Sequence, residues 1–418
     1  MSFPKANGRR VVVTGLGVIS PIGNSAQEFW KNLLDGKHGI RPITNWVANG
    51  YPAHFAGIVE GFDPEECLDR QQARRMDRFT QFAIAAALEA VKHSGLALDA
   101  EDGDRVGVSL GTAVAGMGVV ERESQTLAAE GPRRVSPMLI PAVIGNMAAC
   151  MISIVLKVQG PALCPTGACA TGCMAIGEAF ERIVRNELDV VIAGGSDSTI
   201  TPLAVASFGR LGALSRRNDE PALACRPFDV DREGTVLAEG AAVLVLESEE
   251  HAVARGAQIL AEAAGYGVTS DAYHVAAPDP NGTGAAKAMR TALSRAGVNA
   301  ADVQWVCAHG TGTPLNDISE SKAIRDVLGP AADTIPVSSN KYAVGHTLGA
   351  AGALSSVAAV QAIRHGAIPG TLNLKQKDPE CRINAIAANI SAEIINVLVN
   401  AFGFGGQNAS LVFRRWPN

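Results

Sequence analysis

Short apolar runs alternate along this chain with stretches in which apolar residues recur every three or four positions. Val106-Gly107-Val108-Ser109-Leu110, Val190-Val191-Ile192-Ala193 and Ala242-Val243-Leu244-Val245-Leu246 have the length and β-branched content of buried strands. Val303-Gln304-Trp305-Val306-Cys307-Ala308, Ile335-Pro336-Val337-Ser338-Ser339 and Val397-Leu398-Val399-Asn400 carry the same signature further on. From Cys173 the spacing changes. Met174, Ile176, Phe180, Ile183 and Val184 fall on one face, with Glu178, Glu181, Arg182 and Arg185 between them, which predicts an amphipathic helix. Strands alternating with helices predict a parallel-sheet α/β architecture. Glu247 to Arg255 reads as a charged helical link, and it divides the chain into residues 1–255 and 256–418. A faint repeat accompanies that division: a helix after Cys169 leads to the 190–193 run, and one after His346 leads, past a longer insertion, to the 397–400 run.

With 418 residues, 47% of them hydrophobic, the chain can bury a large core. Only 18% is charged and 44 residues are glycine, which suits dense packing with many tight turns and excludes a disordered chain. Acidic residues outnumber basic ones, 41 to 36, so no global basic field draws in nucleic acid. Met1 to Arg10 is basic, yet the apolar run after it is cut by Gly15, Gly17, Pro21 and Gly23. It reads as strand and turn, not as a signal peptide or membrane span, and a cytoplasmic protein with reduced cysteines is expected. Cys164, Cys169 and Cys173 lie close together, but no second pair or nearby histidine completes a zinc pattern, so no metal is expected. Cys164 and Cys173 read as packing residues.

Candidate chemistry centres on Thr166-Gly167-Ala168-Cys169-Ala170-Thr171-Gly172. Small residues leave Cys169 approachable, and the helix that follows places its thiol at a positive dipole end, which favours the nucleophilic thiolate. A buried cysteine filling space beside small residues is the plainer reading. Two further motifs weigh against it: Ala308-His309-Gly310-Thr311-Gly312-Thr313-Pro314 and Lys341-Tyr342-Ala343-Val344-Gly345-His346. Each histidine sits among glycines after a strand-like run, and a small-residue helix opening follows His346. One cysteine and two histidines at such junctions suggest covalent thioester chemistry.

These motifs resemble those of the β-ketoacyl-[acyl-carrier-protein] synthases, in particular the elongating class with a Cys-His-His site. The resemblance extends through Arg10-Val11-Val12-Val13-Thr14-Gly15-Leu16-Gly17, Arg226-Pro227-Phe228-Asp229 with Asp231-Arg232-Glu233-Gly234, and Phe402-Gly403-Phe404-Gly405-Gly406. It implies the thiolase fold, five αβαβα layers built from two similar halves with the site where they meet. It also implies a decarboxylative Claisen condensation in fatty-acid biosynthesis. Cys169 would hold an acyl group, His309 and His346 would donate hydrogen bonds to the malonyl-derived enolate, and the backbone N–H groups of Cys169 and Phe404 would hold the later oxyanion.

By the same resemblance, Lys341 and Glu320 form a support pair, with an ordinary ion pair holding two loops as the plainer reading. Thr311 and Thr313 bind the phosphopantetheine arm, Phe404 gates the site, Phe402 lines it, and Asp271 lies on a loop that moves with Phe404. Neither metal nor organic cofactor is called for. The implied partner is an acidic acyl carrier protein, met by Arg74, Arg75, Arg133 and Arg134. Gly212 stands at a further position that is basic in the family, where Arg210 or Arg217 would compensate. A homodimer is expected, with no membrane or nucleic-acid partner.

Three departures keep the substrate open: Val114 where a bulkier isoleucine often closes the acyl pocket, Cys164-Pro165 before the nucleophile, and Tyr342 where serine is common. They leave room for a specialised polyketide or polyene pathway, with the chain as half of a heterodimer. The resemblance also touches the thiolases, the chain-initiating synthases and the non-catalytic chain-length partners. The second histidine speaks against the initiating enzyme, and Cys169 against the non-catalytic partner.

Overall fold

The computed structural model describes residues 8–47 and 49–417; the start of the basic Met1–Arg10 segment, up to residue 7, lies outside the described residues. Eleven strands of one mixed sheet are described: β1 (Val11–Ile19), β2 (Val106–Gly111), β3 (Ala162–Leu163), β4 (Val190–Asp197), β5 (Gly240–Ser248), β6 (Ala261–Ser270), β7 (Trp305–Cys307), β8 (Pro336–Ser338), β9 (Asn384–Ala385), β10 (Asn396–Gly403) and β11 (Gln407–Arg414). Their order across the sheet is β9-β8-β7-β10-β11-β6-β1-β5-β4-β2-β3.

The first five strands run β3-β2-β4-β5-β1, parallel from β3 to β4 and antiparallel from there to β1. Leaving β9 aside, the second set runs β8-β7-β10-β11-β6 with the same sequence of directions. The chain therefore contains one βα plan twice. The halves are joined where Val11–Val13 pair antiparallel with Ala261–Ala263.

Five helices complete the layers: α1 (Arg78–Ser94), α2 (Thr171–Val184), α3 (Thr283–Ala296), α4 (Pro314–Leu328) and α5 (Ala351–His365). Helix α1 covers β1 and β5 on one outer face, α3 covers β6 and β11 on the other, and α2 with α5 fills the space between the halves. This is the five-layered αβαβα thiolase fold. Helix α1 starts where the Asp77 side chain accepts from the Phe79 N–H and stops at Gly95 in the left-handed region (φ 63°). Helix α5 is buried at every position from Ala351 to Ile363, and its run of Ala, Gly and Ser lets both halves of the sheet close on it.

Outer helices seat the same way in both halves. A Cβ on Gly15 or Gly17 of β1 would collide with the carbonyl oxygens of Ala90 and Ala86 on α1. One on Gly265 or Gly267 of β6 would collide with those of Ala292 and Ala288 on α3. Side-chain-free positions at this spacing let a helix lie directly on the strand.

One expectation is corrected here. Glu247 belongs to β5 and is fully buried; the helical link begins only at Glu249 and runs to Ala254. A carboxylate is tolerated at the strand's end because Arg255 Nη2 donates to it at 2.5 Å, His251 Nδ1 approaches at 2.6 Å and Thr14 donates its hydroxyl. His251 Nε2 reaches Glu101 at 2.8 Å. No helix among the described residues is long and apolar enough to cross a membrane.

This network has a pH signature. Burial works to raise the Glu247 carboxyl, but the bonds from Arg255, His251 and Thr14 outweigh it and hold the group at about 2. The hydrogen bond to Glu247 raises His251, more than burial lowers it. The His251 contribution to stability is therefore complete below its ordinary 6.5 and is lost as pH rises through the raised folded value. That of Glu247 is complete above 4.5 and is lost as pH falls towards about 2. The melting-temperature deficit of His251→Gln should thus be largest between pH 4.5 and 6.5 and shrink at alkaline pH. A deficit that grows with rising pH in thermal melts would contradict this account.

Candidate active site

Cys169 stands on the turn between β3 and α2, one residue before Ala170 at the helix cap position. Ala168 takes φ 49°, a left-handed conformation costly for a residue with a Cβ. The turn is braced by the Gly167 N–H, which donates to Thr171 Oγ1 at 2.8 Å. His309 follows β7 and enters a turn with Gly310 at φ 40° and Gly312 at φ 76°. Asp317 on α4 holds that turn, accepting from the N–H groups of Thr311 at 3.1 Å and Gly312 at 3.3 Å. His346 comes after a short helix (Lys341–Val344) and is pinned through its backbone: its N–H donates to Val236 O at 2.7 Å, and its carbonyl accepts from Ala238 N at 3.0 Å.

The two imidazoles meet edge to face, with centroids 5.3 Å apart and planes at 80°, and Phe402 lies 5.8 Å from His309. A cavity of about 500 Å³ is lined by Cys169, His309, His346, Thr311, Thr313 and Asp271, and by Phe402 and Phe404. Eight of the residues singled out from the sequence thus share one wall. Thr311 and Thr313 face each other at 2.9 Å between their hydroxyls. Phe404 is 37% exposed and stacks on Phe208, centroids 6.3 Å apart, a partner that no sequence motif marks. Asp271 is tied to the Phe404 turn: its N–H donates to Gly406 O at 2.8 Å, and Asn408 donates to its carboxylate at 2.7 Å.

Lys341 and Glu320 lie behind this wall, and the plain ion-pair reading is corrected. No salt bridge links them among the described residues. Both instead hold the backbone of His309. Glu320 accepts from the N–H groups of His309 at 2.8 Å and Gly310 at 2.7 Å, and the Lys341 ammonium donates to the His309 carbonyl. Tyr342, next to Lys341, is buried and donates its hydroxyl to Leu33 O at 3.0 Å, anchoring this segment to the first half. Val114 packs against the apolar cluster that contains Cys169 but is not on the cavity wall. Arg74, Arg75, Arg133 and Arg134 are exposed outside the cavity, Arg134 paired with Glu130 at 3.0 Å. Arg217 is half-buried and pairs with Glu220 at 3.5 Å.

The electrostatics overturn the expected thiolate. Burial pushes the Cys169 thiol up to about 12, against the charge of Lys341 and the N–H groups of Phe404 and Cys169 itself. Those favourable contacts do not outweigh the desolvation. The same two N–H groups nevertheless point at the sulfur, where a thioester oxygen would also need donors. Burial, then Lys341, drives His309 and His346 well below 6.5, so both rings are neutral at physiological pH. Glu320 is pushed up to about 7 by burial, and Lys341 is lowered for the same reason.

Comparison with known proteins agrees with this geometry. The family model described as Beta-ketoacyl synthase, N-terminal domain, matches residues 8–252, and the one described as Beta-ketoacyl synthase, C-terminal domain, matches residues 260–375. The chain is 44% identical over 409 residues to 3-oxoacyl-[acyl-carrier-protein] synthase 2 of Synechocystis sp., covering 98% of each. Among solved structures, the ishigamide ketosynthase/chain length factor superposes with TM-score 0.91 at 37% identity, over 98% of this chain and 100% of that one. A type II PKS acyl-carrier protein in complex with its ketosynthase bound to the hexaketide gives 0.91 at 34%, with the same coverage.

Removing the buried ammonium tests these electrostatics directly. Lys341→Met should raise the imidazole pKa values of both His309 and His346, because the Lys341 charge lowers both. Burial, the larger cause, remains, so both should stay below 6.5. Histidine titration by NMR reads the change, and unmoved values would show that Lys341 does not act on the rings.

Proposed function

The chain belongs to the β-ketoacyl synthase family, and on that basis we propose that it is an elongating 3-oxoacyl-[acyl-carrier-protein] synthase of fatty-acid biosynthesis. The observation that carries this reading is one thiol and two neutral imidazoles converging on a single cavity. Cys169 Sγ attacks an acyl thioester, the new S–C bond forms, and the carrier thiol leaves with the proton. Malonyl thioester then enters and loses carbon dioxide, and His309 and His346 donate hydrogen bonds to the enolate oxygen. The enolate carbon attacks the acyl-Cys169 carbonyl and the N–H groups of Cys169 and Phe404 take the oxyanion; its collapse breaks the C–S bond, so the 3-oxoacyl carrier thioester is released and Cys169 leaves as a thiolate that is reprotonated. Neutral rings suit the enolate step, since a donor in a dry site stabilises charge most when that charge is only then developing. A thiol pushed up to about 12 gives up its proton only as it attacks, and the departing carrier sulfur takes it.

The partner is an acyl carrier protein, with Arg74, Arg75, Arg133, Arg134 and Arg217 as its acid-binding contacts. A homodimer is supported by β3, which ends the sheet with an edge unpaired among the described residues, and by the exposed Ile140 and Ile154 on two helices and Ile144 between them. A second reading places the same chemistry in a type II polyketide pathway with a heterologous partner. A type II PKS ketosynthase complex and a ketosynthase/chain length factor each superpose on this chain with a TM-score of 0.91. Acylation assays with fatty-acyl and polyketide carriers separate the two.

Cys169→Ala should abolish both the acyl-enzyme mass shift and condensation, and a persisting shift of one acyl group would sink the assignment. Cys169→Gln should leave malonyl decarboxylation running. His309→Ala and His346→Ala should each slow decarboxylation by about 10²-fold or more, with acylation of Cys169 hit less at one or both positions. Equal losses of both steps at both positions would assign the histidines to proton removal from the thiol instead. Charge reversal at Arg74 and Arg75 should raise KM for carrier-bound substrate but not for free pantetheine thioesters.

A further inference from the structure

Asp197 ends β4, a strand buried at every position, and is itself fully buried. Its carboxylate reaches from the first half to the second. Oδ1 accepts from Thr112 Oγ1 at 2.6 Å and from Val114 N at 3.1 Å. Oδ2 accepts from Ala113 N at 2.8 Å and from Gly349 N at 2.6 Å. Thr112 Oγ1 in turn accepts from Ala115 N at 2.9 Å, closing the turn after β2. Both segments held in this way contain a non-glycine residue in the left-handed region, Ala115 at φ 57° and Leu348 at φ 48°. Such conformations persist only where their surroundings over-determine them, and four charge-assisted hydrogen bonds do so here. Gly349 admits no side chain, since a Cβ there would run into the Asp197 carboxylate and lie 2.7 Å from Ala113 N.

The residues placed by this clasp adjoin the nucleophile. Leu348 lines the cavity, and it shares one apolar cluster with Cys169, against which Val114 packs. His346 is two residues from Leu348 but is held separately, by its own backbone pairing with Val236 and Ala238. We propose that Asp197 is a positioning residue that sets which acyl chains Cys169 accepts, by fixing the cavity-lining Leu348 of the second half against the turn of Val114 in the first, which packs behind it on the same apolar cluster. This rests on the reading of Cys169 as the acyl-bearing nucleophile. The carboxylate touches no reacting atom. Its charge also helps to raise the Cys169 thiol, but equally for every acyl donor; selection between donors passes through the two loops, and the enolate step, which uses the separately held histidines, is spared.

The test measures two reactions on the full chain: acylation of Cys169 by a short and a long acyl thioester, followed by mass spectrometry, and malonyl decarboxylation. Asp197→Asn turns one oxygen into an NH₂ that cannot accept from a backbone N–H, so the loops separate. The long-to-short ratio of acylation kcat/KM should move by about tenfold, with decarboxylation near wild type. Thr112→Val removes both the bond to Asp197 and the one from Ala115 N and should move the ratio in the same direction, and Thr112→Ser should restore it. If Asp197→Asn fails to fold, the Thr112 pair carries the test. An unchanged ratio in these variants overturns the proposal, as does a parallel fall of acylation and decarboxylation that tracks lost stability. Wild-type protein that takes no acyl group on Cys169 overturns the parent reading, and this inference with it.

Discussion

Two helix N-termini pressed together, backbone against backbone, are the constraint on which the site depends. A Cβ on Gly172 of α2 would come within 2.6 Å of Ala353 N and 2.8 Å of Gly349 O. One on Gly352 of α5 would come within 2.7 Å of Cys173 N and 2.8 Å of its sulfur. Any side chain at either place would drive α2 from α5, and with them Cys169 from His346. A third close approach completes the arrangement: Gly403, at the end of β10, leaves room for only 2.5 Å between its would-be Cβ and Gly167 O, and 2.9 Å to Cys169 N. That contact brings Phe402 and the Phe404 N–H to Cys169. Close packing of this kind has no slack, because interiors this dense transmit a displaced methyl group as a displaced helix.

Burial carries an electrostatic consequence that shapes the chemistry. The same dry surroundings that keep both imidazoles neutral also keep the thiol protonated, with Cys169 pushed up to about 12. The resting site therefore holds little charge at these side chains, and Lys341, the charge that acts on all three, donates to the carbonyl of His309. Glu320 takes the N–H of the same residue. Lys341 and Glu320 thus fix one residue's backbone from both ends, which orients the His309 ring more firmly than an ion pair between the two side chains would. A catalyst of enolate formation benefits from donors that are already oriented before charge develops, since no reorganisation then remains to be done.

Much of this was legible in the sequence, and the reasons are local. Cys169, His309 and His346 announce themselves because small and glycine residues surround them where strands end, and the structure puts all three on one cavity. The duplication was more legible than the faint 190–193 and 397–400 repeat suggested: Gly15-Leu16-Gly17-Val18 and Gly265-Tyr266-Gly267-Val268 mark equivalent strands, each seating an outer helix. What stayed hidden depends on burial. Glu247 reads as the start of a charged link because nothing in its neighbourhood reveals that Arg255, His251 and Thr14 fold around it. The thiolate expectation failed for a related reason: a dipole at a helix end can be read from sequence, whereas the desolvation that overrides it depends on everything packed around the sulfur. Phe208 and Asp197 reach the site from segments with no catalytic signature, although an acidic residue closing an otherwise apolar strand was a signal that could have been followed.

The duplicated plan also explains why the site needs both halves. Each half by itself starts a helix in the middle layer on small residues, a place that can deliver one reactive side chain but not surround a substrate. Setting the second copy against the first brings Cys169 and the two histidines from different copies to one point, and it leaves an interface where apolar contacts alone would allow sliding. Directional bonds across that interface remove the freedom: Tyr342 to Leu33 O, the His346 backbone to Val236 and Ala238, and Asp197 to Gly349. Hydrophobic burial brings the halves together without specifying their register, and these few buried polar contacts select the register in which a thiol and two imidazoles share a cavity.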